Sequence, residues 1–314
     1  MISYNYKSMK LISLGLIFKR KNFPKWNKSH AWVPTPIMIS KSKCKIFYAG
    51  RDKNNQSHIG SFEIDLNKPY KILNVSKSPI LSLGKLGYFD DSAVIPCQVF
   101  YFKNKYYLFY VGWTQGKKIP YMASIGLACS KNLSKKFKRY SEAPIIGRTN
   151  EDPIFAASCF VKKEKNYFKI YYTSNLRWQA NRGILTPKYL IKEGFSKNLI
   201  NWKFKKVALS HKRNEVALTR PWILDTKKNK SVMIYSFGKI KKKKNIYKIG
   251  MALPIKGRWK RLDSKVKVIN NFDKFDLNTQ EYAASVKFNG RNYVFYNGDN
   301  FGKNGIGLAI MEEK

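Results

Sequence analysis

Acidic residues, histidines and cysteines are all scarce in this chain of 314 residues. It contains 19 Asp and Glu against 61 Lys and Arg, with three His and four Cys. The cysteines (Cys44, Cys97, Cys129 and Cys159) stand far apart, which excludes a dense disulfide framework and a Cys-rich zinc motif. Because the histidines are scattered too, we predict neither a metal site nor a cofactor.

A long apolar run is also missing. The N-terminal run Leu11–Phe18 (LISLGLIF) is too short to span a membrane, and no small-residue cleavage site follows it. We therefore expect no membrane span, no secretory signal and a cytoplasmic protein. A cytoplasmic location favours biosynthesis of a polymer over its degradation.

The shortage of acids leaves a formal net charge of +42. Such a charge attracts nucleic acids and other anions. Nearly all of the excess is Lys, however, and its runs (Thr226–Lys230 and Lys239–Asn245) lie between strand-like segments, where solvated hairpin turns are expected. No nucleic-acid-binding motif accompanies them, so we predict a solvated basic surface and no specific nucleic-acid partner.

What the chain does contain is an internal repeat. Aromatic residues make up 15% of it, and apolar strand-like segments rich in them recur at a nearly constant spacing. Five of these segments align on a tyrosine, with spacings of 62, 62, 63 and 61 residues: Tyr48, Tyr110, Tyr172, Tyr235 and Tyr296.

Two further columns keep a similar period. A segment upstream of each tyrosine begins with a polar residue, at His30, Asp91, Asp152, Glu215 and Glu281. Downstream, four of the five copies carry an Ile-Gly pair, which ends at Gly60, Gly126, Gly250 or Gly307. A unit of three or more strands that repeats at a fixed period along the sequence is typical of β-propellers.

We therefore predict an all-β, five-bladed β-propeller in a single domain, residues 1–314, with inner strands that start near residues 30, 91, 152, 215 and 281. The segment Leu11–Phe18 is an orphan strand, which we expect to pair into the last blade and close the ring. A β-sandwich with coincidental spacing is the alternative.

The upstream column predicts the site. Innermost strands of a propeller line its central channel, so their first polar residues would meet at one mouth. Four of these five residues are carboxylic acids in a chain with few acids. Opposed carboxyl groups, one protonated and one ionised, cleave or transfer glycosidic bonds. The alternative is that these side chains cap strands or bind turn backbone.

Other residues fall near the same predicted mouth. Arg220 can clamp a carboxylate or phosphate, or pair with Glu215. Trp113 and Trp178 can stack on sugar rings or pack between blades. The remaining candidates for substrate binding are Arg51, Asp52, Asp90, Tyr282, Asn297 and Asp299.

Six segments also resemble a known group of proteins: SHAWVPTP (29–36), FDDSAVIP (89–96), IGLACS (125–130), RPWIL (220–224), EYAASV (281–286) and YNGDNFGKNGIGLA (296–309). They are similar to the five-bladed propeller glycosidases around glycoside hydrolase families 43, 32 and 130. The similarity is greater to uncharacterised relatives found among bacterial surface-polysaccharide genes.

The resemblance implies roles for the column. Those glycosidases use an Asp on the first inner strand as base or nucleophile, a second Asp as modulator and a Glu as general acid. Here His30 stands at the first position, Asp91 matches the second and Glu215 matches the acid. Glu281 has no fixed counterpart and is expected to act as base or sugar contact. His30, Arg51, Asp152 and Arg220 are expected to bind substrate.

The leading hypothesis is a carbohydrate-active enzyme that cleaves or transfers a glycosidic or glycosyl-phosphate bond in cell-surface polysaccharide metabolism. It would be a glycoside hydrolase-like hydrolase, phosphorylase or glycosyltransferase, with a sugar, sugar phosphate or nucleotide sugar as its substrate. A non-catalytic sugar-binding propeller and a charge-driven nucleic-acid-binding propeller are the alternatives. The sequence does not decide the sugar or the oligomeric state.

Overall fold

Strands account for almost all of the regular structure. A computed structural model describes residues 8–181, 184–226, 231–241, 244–270 and 273–313. Apart from two short 3-10 helices, Arg20–Asn22 and Asp263–Lys265, every regular element in these ranges is a β-strand. The all-β prediction is confirmed, and no helix in the same ranges is long and apolar enough to cross a membrane.

Four antiparallel units of four strands each follow one another along the chain from Ser29 to Arg261. The N-terminal strand β1 (Met9–Lys19) belongs to the last sheet, described below. The first unit contains β2 (Ser29–Met38), β3 (Lys43–Arg51), β4 (Ser57–Asp65) and β5 (Lys68–Val75). The second contains β6 (Ala93–Phe102), β7 (Lys105–Gln115), β8 (Tyr121–Ser130) and β9 (Lys138–Arg139). A single parallel bridge, between Ser57 and Ala93, joins these two units.

Two separate sheets continue the pattern. The third unit contains β10 (Phe155–Lys163), β11 (Phe168–Asn181), β12 (Ile184–Ser196) and β13 (Lys203–Leu209). The fourth contains β14 (Ala217–Asp225), β15 (Ser231–Lys241), β16 (Lys244–Ile255) and β17 (Arg258–Arg261). The lysine runs predicted as hairpin turns lie partly outside the described residues, at 227–230 and 242–243.

The last sheet combines both ends of the chain. Its order is β19-β20-β21-β1-β18, formed by β1 (Met9–Lys19), β18 (Val266–Ile269), β19 (Glu281–Phe288), β20 (Arg291–Asn297) and β21 (Gly305–Glu313). β1, which contains the orphan segment, pairs antiparallel with β21 and parallel with β18. Its Phe18 ring also stacks on Phe62 of the first unit, with a centroid distance of 4.1 Å. The N-terminal strand therefore joins the last unit to the first.

The first strands of the units surround a common axis. β2 contacts β6, β6 contacts β10, β10 contacts β14, β14 contacts β19, and β19 returns to contact β2. Their side chains are mostly buried, and the core residues of neighbouring units pack into shared clusters. The ends at which these strands begin therefore face one another around a single opening, called the mouth below.

In four units, a buried tyrosine on the second strand donates a hydrogen bond to the carboxyl group of an aspartate; this contact is called the tyrosine–carboxylate pair below. Tyr110, Tyr172 and Tyr296 are fully buried, and each donates a hydrogen bond to an aspartate twenty residues upstream, at 2.9, 2.6 and 2.8 Å. These acceptors are Asp90, Asp152 and Asp276. In the fourth unit, Tyr235 donates a hydrogen bond to Asp263, which lies downstream instead of upstream. In the first unit, the amide of Asn27 takes the place of the carboxylate beside Tyr48.

The Ile-Gly column makes room for these tyrosines. A Cβ atom at Gly250 would lie 2.7 Å from the ring of Tyr235, and one at Gly60 would lie 3.0 Å from Tyr48. A Cβ at Gly126 would meet the ring of Tyr110 in the same way. Because packed interiors leave no space for such an overlap, the third strand carries glycine opposite the tyrosine in these units. The third unit differs, since Lys192 lies opposite Tyr172 and forms an ion pair with Asp152.

Tyr110→Phe tests the tyrosine–carboxylate pair. It should lower the free energy of unfolding by about 1.5–3 kcal/mol, because it removes a buried hydrogen bond to a charged acceptor. Urea denaturation measures the change. The control is Tyr101→Phe, whose exposed hydroxyl donates to Asn104 and whose loss should change stability by less than about 0.5 kcal/mol. Equal effects of the two substitutions would contradict this role.

Candidate functional site

A cavity of about 370 Å³ occupies the mouth, and all units contribute to its wall. Aromatic rings dominate the lining: Trp32, Trp113, Tyr121, Phe155, Trp178, Tyr189, Tyr247, Tyr282 and Phe301. Three threonines (Thr173, Thr186 and Thr219) and Ser158 add hydroxyl groups. A concave, mostly apolar pocket with a few polar groups is typical of a small-molecule site.

Irregularities occur at equivalent places in four of the first strands, and three of them put a residue into the cavity lining: Val33, Ser158 and Tyr282. The pairing register shifts within β2, β10, β14 and β19, each beside a non-glycine residue in the left-handed region. These residues are Val33 (φ 54°), Ser158 (φ 32°), Arg220 (φ 56°) and Tyr282 (φ 56°). β-Bulges re-aim side chains and cluster beside active sites, and strained backbone persists where the surrounding structure enforces it.

The aromatic rings of the wall hold one another in place. Trp113 stacks on Tyr121 at a centroid distance of 4.4 Å, and Trp32 meets the edges of Trp113 and Tyr282 at 5.9 Å each. The hydroxyl groups of Tyr121 and Tyr189 form a hydrogen bond. Trp113 and Trp178, predicted as sugar platforms, both line the cavity, as does Tyr282.

Positive charge marks one side of the mouth. Arg51 lines the cavity, and its guanidinium lies 5.7 Å from the ring centroid of Trp32. His30 is half-buried near Arg51 and Lys303, and its Nδ1 lies 2.9 Å from Ser29 Oγ. Burial, with the charges of Arg51 and Lys303, lowers the pKa of His30 to about 4. The imidazole is therefore a neutral base at pH 7.

Glu281 is the acid beside the cavity. It is fully buried at the start of β19, and neither carboxyl oxygen has a hydrogen-bond partner among the described residues. Burial, reinforced by the charge of Asp299, raises the pKa of Glu281 well above its ordinary value. Glu281 in turn raises the pKa of two tyrosines in the wall, Tyr247 and Tyr282, second to burial. Burial thus favours the protonated, uncharged form of this carboxyl group next to the cavity wall.

Two of the predicted mouth acids belong to the interior instead. Asp90 and Asp152 accept the hydrogen bonds of Tyr110 and Tyr172, and basic side chains (Arg139 and Lys192) neutralise them at 2.8 Å. Both aspartates are almost completely buried and neither lines the cavity. The structure thus gives them a role in the tyrosine–carboxylate pairs rather than the substrate contact expected from the sequence.

Glu215, expected to be the general acid, lies in a buried ion-pair network. Its carboxylate receives two hydrogen bonds from Arg261, at 2.7 and 3.0 Å, and one from the backbone N–H of Lys212 at 2.8 Å. Arg261 also binds Asp263, the partner of Tyr235. Glu215 does not line the cavity, and both of its carboxyl oxygens are bound by Arg261 rather than facing a ligand.

Arg220 lies on the axis below the cavity and contacts no carboxylate within the described part of the chain. Its guanidinium is fully buried and donates to the carbonyl oxygens of Pro34 and Cys97 and to the hydroxyl of Thr35. The distances to Pro34 and Thr35 are 2.8 and 2.9 Å. Burial lowers the pKa of Arg220 to about 10. The residue therefore ties β14 to β2 and β6, and it neither pairs with Glu215 nor reaches a ligand in the cavity.

The remaining candidates shape loops around the mouth. Asp91 accepts hydrogen bonds from the Gly87 N–H at 2.9 Å and the Ser92 hydroxyl at 2.7 Å. Asp52 accepts two backbone N–H groups of its own turn and contacts His58.

Asp299 and Asn297 fix the loop after β20. Asp299 accepts the backbone N–H of Asn278 and of Thr279. Asn297 is fully buried; its amide bridges Ala31, Val33 and Gly305. Neither residue lines the cavity, so among the predicted residues the structure brings together Arg51, Trp113, Trp178 and Tyr282.

The sequence did not single out Tyr121, Tyr189 and Tyr247, although they form much of the wall. Tyr121 begins β8, and the other two lie early in β12 and β16. In an antiparallel unit the third strand begins at the same end as the first, so the tyrosines near the start of the third strands were the available signal.

The described residues offer no obvious metal centre. Across those ranges, no group of three or more His, Cys, Asp or Glu side chains lies close enough together to hold a metal ion. All four cysteines are free thiols.

Comparisons with known proteins support the fold. No family model matches the chain. Rv1502, an uncharacterized protein of Mycobacterium tuberculosis, is 28% identical over 302 residues, which cover 95% of this chain and 98% of the relative. A solved glycoside hydrolase superposes with a TM-score of 0.70 at 16% identity, over 95% of this chain and 90% of the other.

Two further structures agree with this result. One comes from a study of the GH130 family of mannoside phosphorylases, which contains glycoside hydrolases that target β-1,2 mannosidic linkages in Candida mannan. It superposes with a TM-score of 0.66 at 14% identity, over 99% of this chain and 92% of the other. The other is an α-L-arabinofuranosidase from Podospora anserina in complex with cellotriose (TM-score 0.64, 12% identity, 98% coverage of both chains). The chain has the fold of these enzymes. At such low identities the similarity extends to the fold alone.

Glu215→Gln and Arg261→Gln test whether Glu215 is structural. Arg261→Gln should lower the free energy of unfolding by about 3–5 kcal/mol, because it takes the cation from two buried acids, Glu215 and Asp263. Glu215→Gln should lower it by less, because Arg261 keeps its ion pair with Asp263. The double variant should lose less than the sum, since the interaction can be lost once only. The control is Glu142→Gln, in the exposed pair with Lys85, with an expected change below about 1 kcal/mol. Additive losses in the double variant would contradict the pairing.

Proposed function

We propose that the chain is a five-bladed β-propeller, one domain over residues 1–314, that cleaves or transfers a glycosidic or glycosyl-phosphate bond at its mouth. The observation that carries this proposal is the aromatic cavity at the mouth, with the protonated carboxyl group of Glu281 beside its wall. The similarity in fold to glycoside hydrolases supports it.

The lining suits a sugar. Sugar rings present C–H faces that pack on aromatic rings, and their hydroxyl groups need donors and acceptors close by. Trp32, Trp113 and Trp178 supply flat apolar surface, while tyrosine and threonine hydroxyls supply the polar contacts. A volume of about 370 Å³ is at the lower end of ligand pockets, which fits one or two sugar units.

The environments of Glu281 and His30 supply opposite halves of acid–base chemistry. Burial keeps the proton on Glu281, so this group serves as general acid rather than as base. His30, kept neutral by burial and by nearby cations, offers an unprotonated ring nitrogen that can accept a hydrogen bond from water or from an attacking hydroxyl; its lowered pKa of about 4 makes it a weak base. Glu281 is fully buried and neither of its carboxyl oxygens has a hydrogen-bond partner among the described residues, so transfer of its proton requires the leaving oxygen to contact the carboxyl group itself.

Arg51 favours a substrate with a negative charge. It is the charged residue that the described lining presents to a ligand, and arginine binds phosphate or carboxylate through two parallel hydrogen bonds. A sugar phosphate or nucleotide sugar meets this requirement. We propose that the reaction belongs to cell-surface polysaccharide metabolism and takes place in the cytoplasm, where activated sugars are made.

A non-catalytic sugar-binding propeller is the second candidate. One observation favours it: no carboxylate is part of the cavity lining in the described ranges. Asp91 and Glu215 are both engaged in hydrogen bonds away from the cavity. A binding protein needs the aromatic platforms but no proton donor.

Glu281→Gln separates the two candidates. It should lower turnover by about 10²–10⁴-fold, the usual contribution of a general acid, while sugar binding changes little. The measurement is release of product from a panel of nitrophenyl glycosides and sugar 1-phosphates, with tryptophan fluorescence to follow binding. Because the pKa of Glu281 is raised from 4.5, wild-type activity should persist above that pH and fall at higher pH as the acid loses its proton.

Glu312→Gln, at an exposed site on β21, is the control and should leave turnover unchanged. If wild type and Glu281→Gln bind a sugar equally and neither turns over any member of the panel, the binding protein replaces the enzyme. If Glu281→Gln retains full activity, another group donates the proton.

A further inference from the structure

A second cavity, of about 350 Å³, lies in the third unit at the end away from the mouth. It is formed where the start of β11 pairs with the end of β12, with Lys169 opposite Phe195 and Ile170 opposite Gly194. Tyr189 of the mouth and Phe195 of this cavity are six residues apart on β12, a separation of roughly 20 Å along a strand. We call it the far-end cavity; it shares no lining residue with the mouth.

Its lining combines an exposed aromatic ring with polar side chains. The ring of Tyr167 is 43% exposed and meets the edge of Phe195 at a centroid distance of 6.5 Å. Asn166, Lys169, Glu193 and Lys197 supply the polar groups, and Gly194 presents bare backbone. A flat exposed ring surrounded by donors and acceptors can hold a sugar ring by its C–H face and its hydroxyls.

Glu193 gives this cavity a fixed acceptor. Its side chain is 7% exposed, and Lys169 and Lys206 hold it at 3.0 and 3.7 Å. A carboxylate in the wall accepts hydrogen bonds from hydroxyl groups and repels a bare phosphodiester. This favours a hydroxyl-rich ligand over a nucleic-acid strand, whose successive bases also need several stacking rings in a row.

The surface around the cavity is strongly basic. Five lysines of the described residues follow the strands at this end of the unit, against the two glutamates Glu164 and Glu193; the lysines are Lys165, Lys169, Lys197, Lys203 and Lys206. Such a field concentrates anions near the surface. A neutral sugar polymer would make no use of it, whereas a polymer with regularly spaced negative charges would.

We propose that the far-end cavity binds an acidic glycan, a chain of sugar rings that carries phosphate or carboxylate groups. Tyr167 stacks on one ring, Glu193 and Asn166 bind its hydroxyls, and Lys197 pairs with an adjacent charge. The site is separate from the mouth, so it can hold a polymer whether or not the mouth acts as an enzyme.

Affinity electrophoresis of the full chain tests this proposal. The probes are polygalacturonate, which carries carboxylates, a phosphomannan, which is a chain of mannose rings that carries phosphates, neutral dextran, and a single-stranded DNA oligonucleotide. We expect retardation by at least one of the acidic glycans and none by dextran. Tyr167→Ala and Lys197→Gln should each weaken that binding about tenfold.

Two variants serve as matched controls. Tyr101→Ala removes an equally exposed tyrosine from β6, and Lys135→Gln removes an exposed lysine from the second unit; neither should change the binding. Glu281→Gln should not change it either, which separates this site from the mouth. The proposal is overturned if neither acidic glycan binds, if the control variants weaken binding as much, or if DNA binds more tightly and with the same sensitivity to Tyr167→Ala.

Discussion

The buried hydrogen bond from a second-strand tyrosine to an aspartate is the interaction on which the sheets depend. It places a hydroxyl, a carboxylate and a basic side chain inside three of the units, at Asp90, Asp152 and Asp263. An unpaired carboxylate there would be strongly destabilising, so each acid requires both of its partners. The glycine opposite the tyrosine follows from the same packing.

This framework sets the geometry of the mouth. With the second and third strands fixed, the first strands contact one another around the axis, and Arg220 ties three of them through carbonyl and hydroxyl oxygens. Bulges at Val33, Ser158 and Tyr282 then turn side chains toward the opening. The resulting aromatic wall excludes water from Glu281, and that exclusion keeps its proton in place.

Sequence periodicity predicted the strands well, because strand, turn and buried tyrosine recur at a spacing that coincidence does not explain. It was less informative about the acids. Asp90 and Asp91 are neighbours in the turn before β6, yet Asp90 is buried and accepts the hydrogen bond of Tyr110, whereas Asp91 is partly exposed and accepts the Gly87 N–H. The network of Glu215 with Arg261 joins residues 46 positions apart, which no local pattern reveals.

The proposed acid–base chemistry at the mouth depends most on the protonation state of Glu281. Infrared difference spectroscopy between wild type and Glu281→Gln at pH 7 measures it directly, because a protonated carboxyl group absorbs apart from a carboxylate. If Glu281 is the general acid, wild type shows a protonated-carboxyl band that is missing from Glu281→Gln. This band persists well above pH 4.5, the ordinary pKa of a glutamate. A carboxylate band for Glu281 at pH 7 would contradict this assignment and remove the general acid from the mouth.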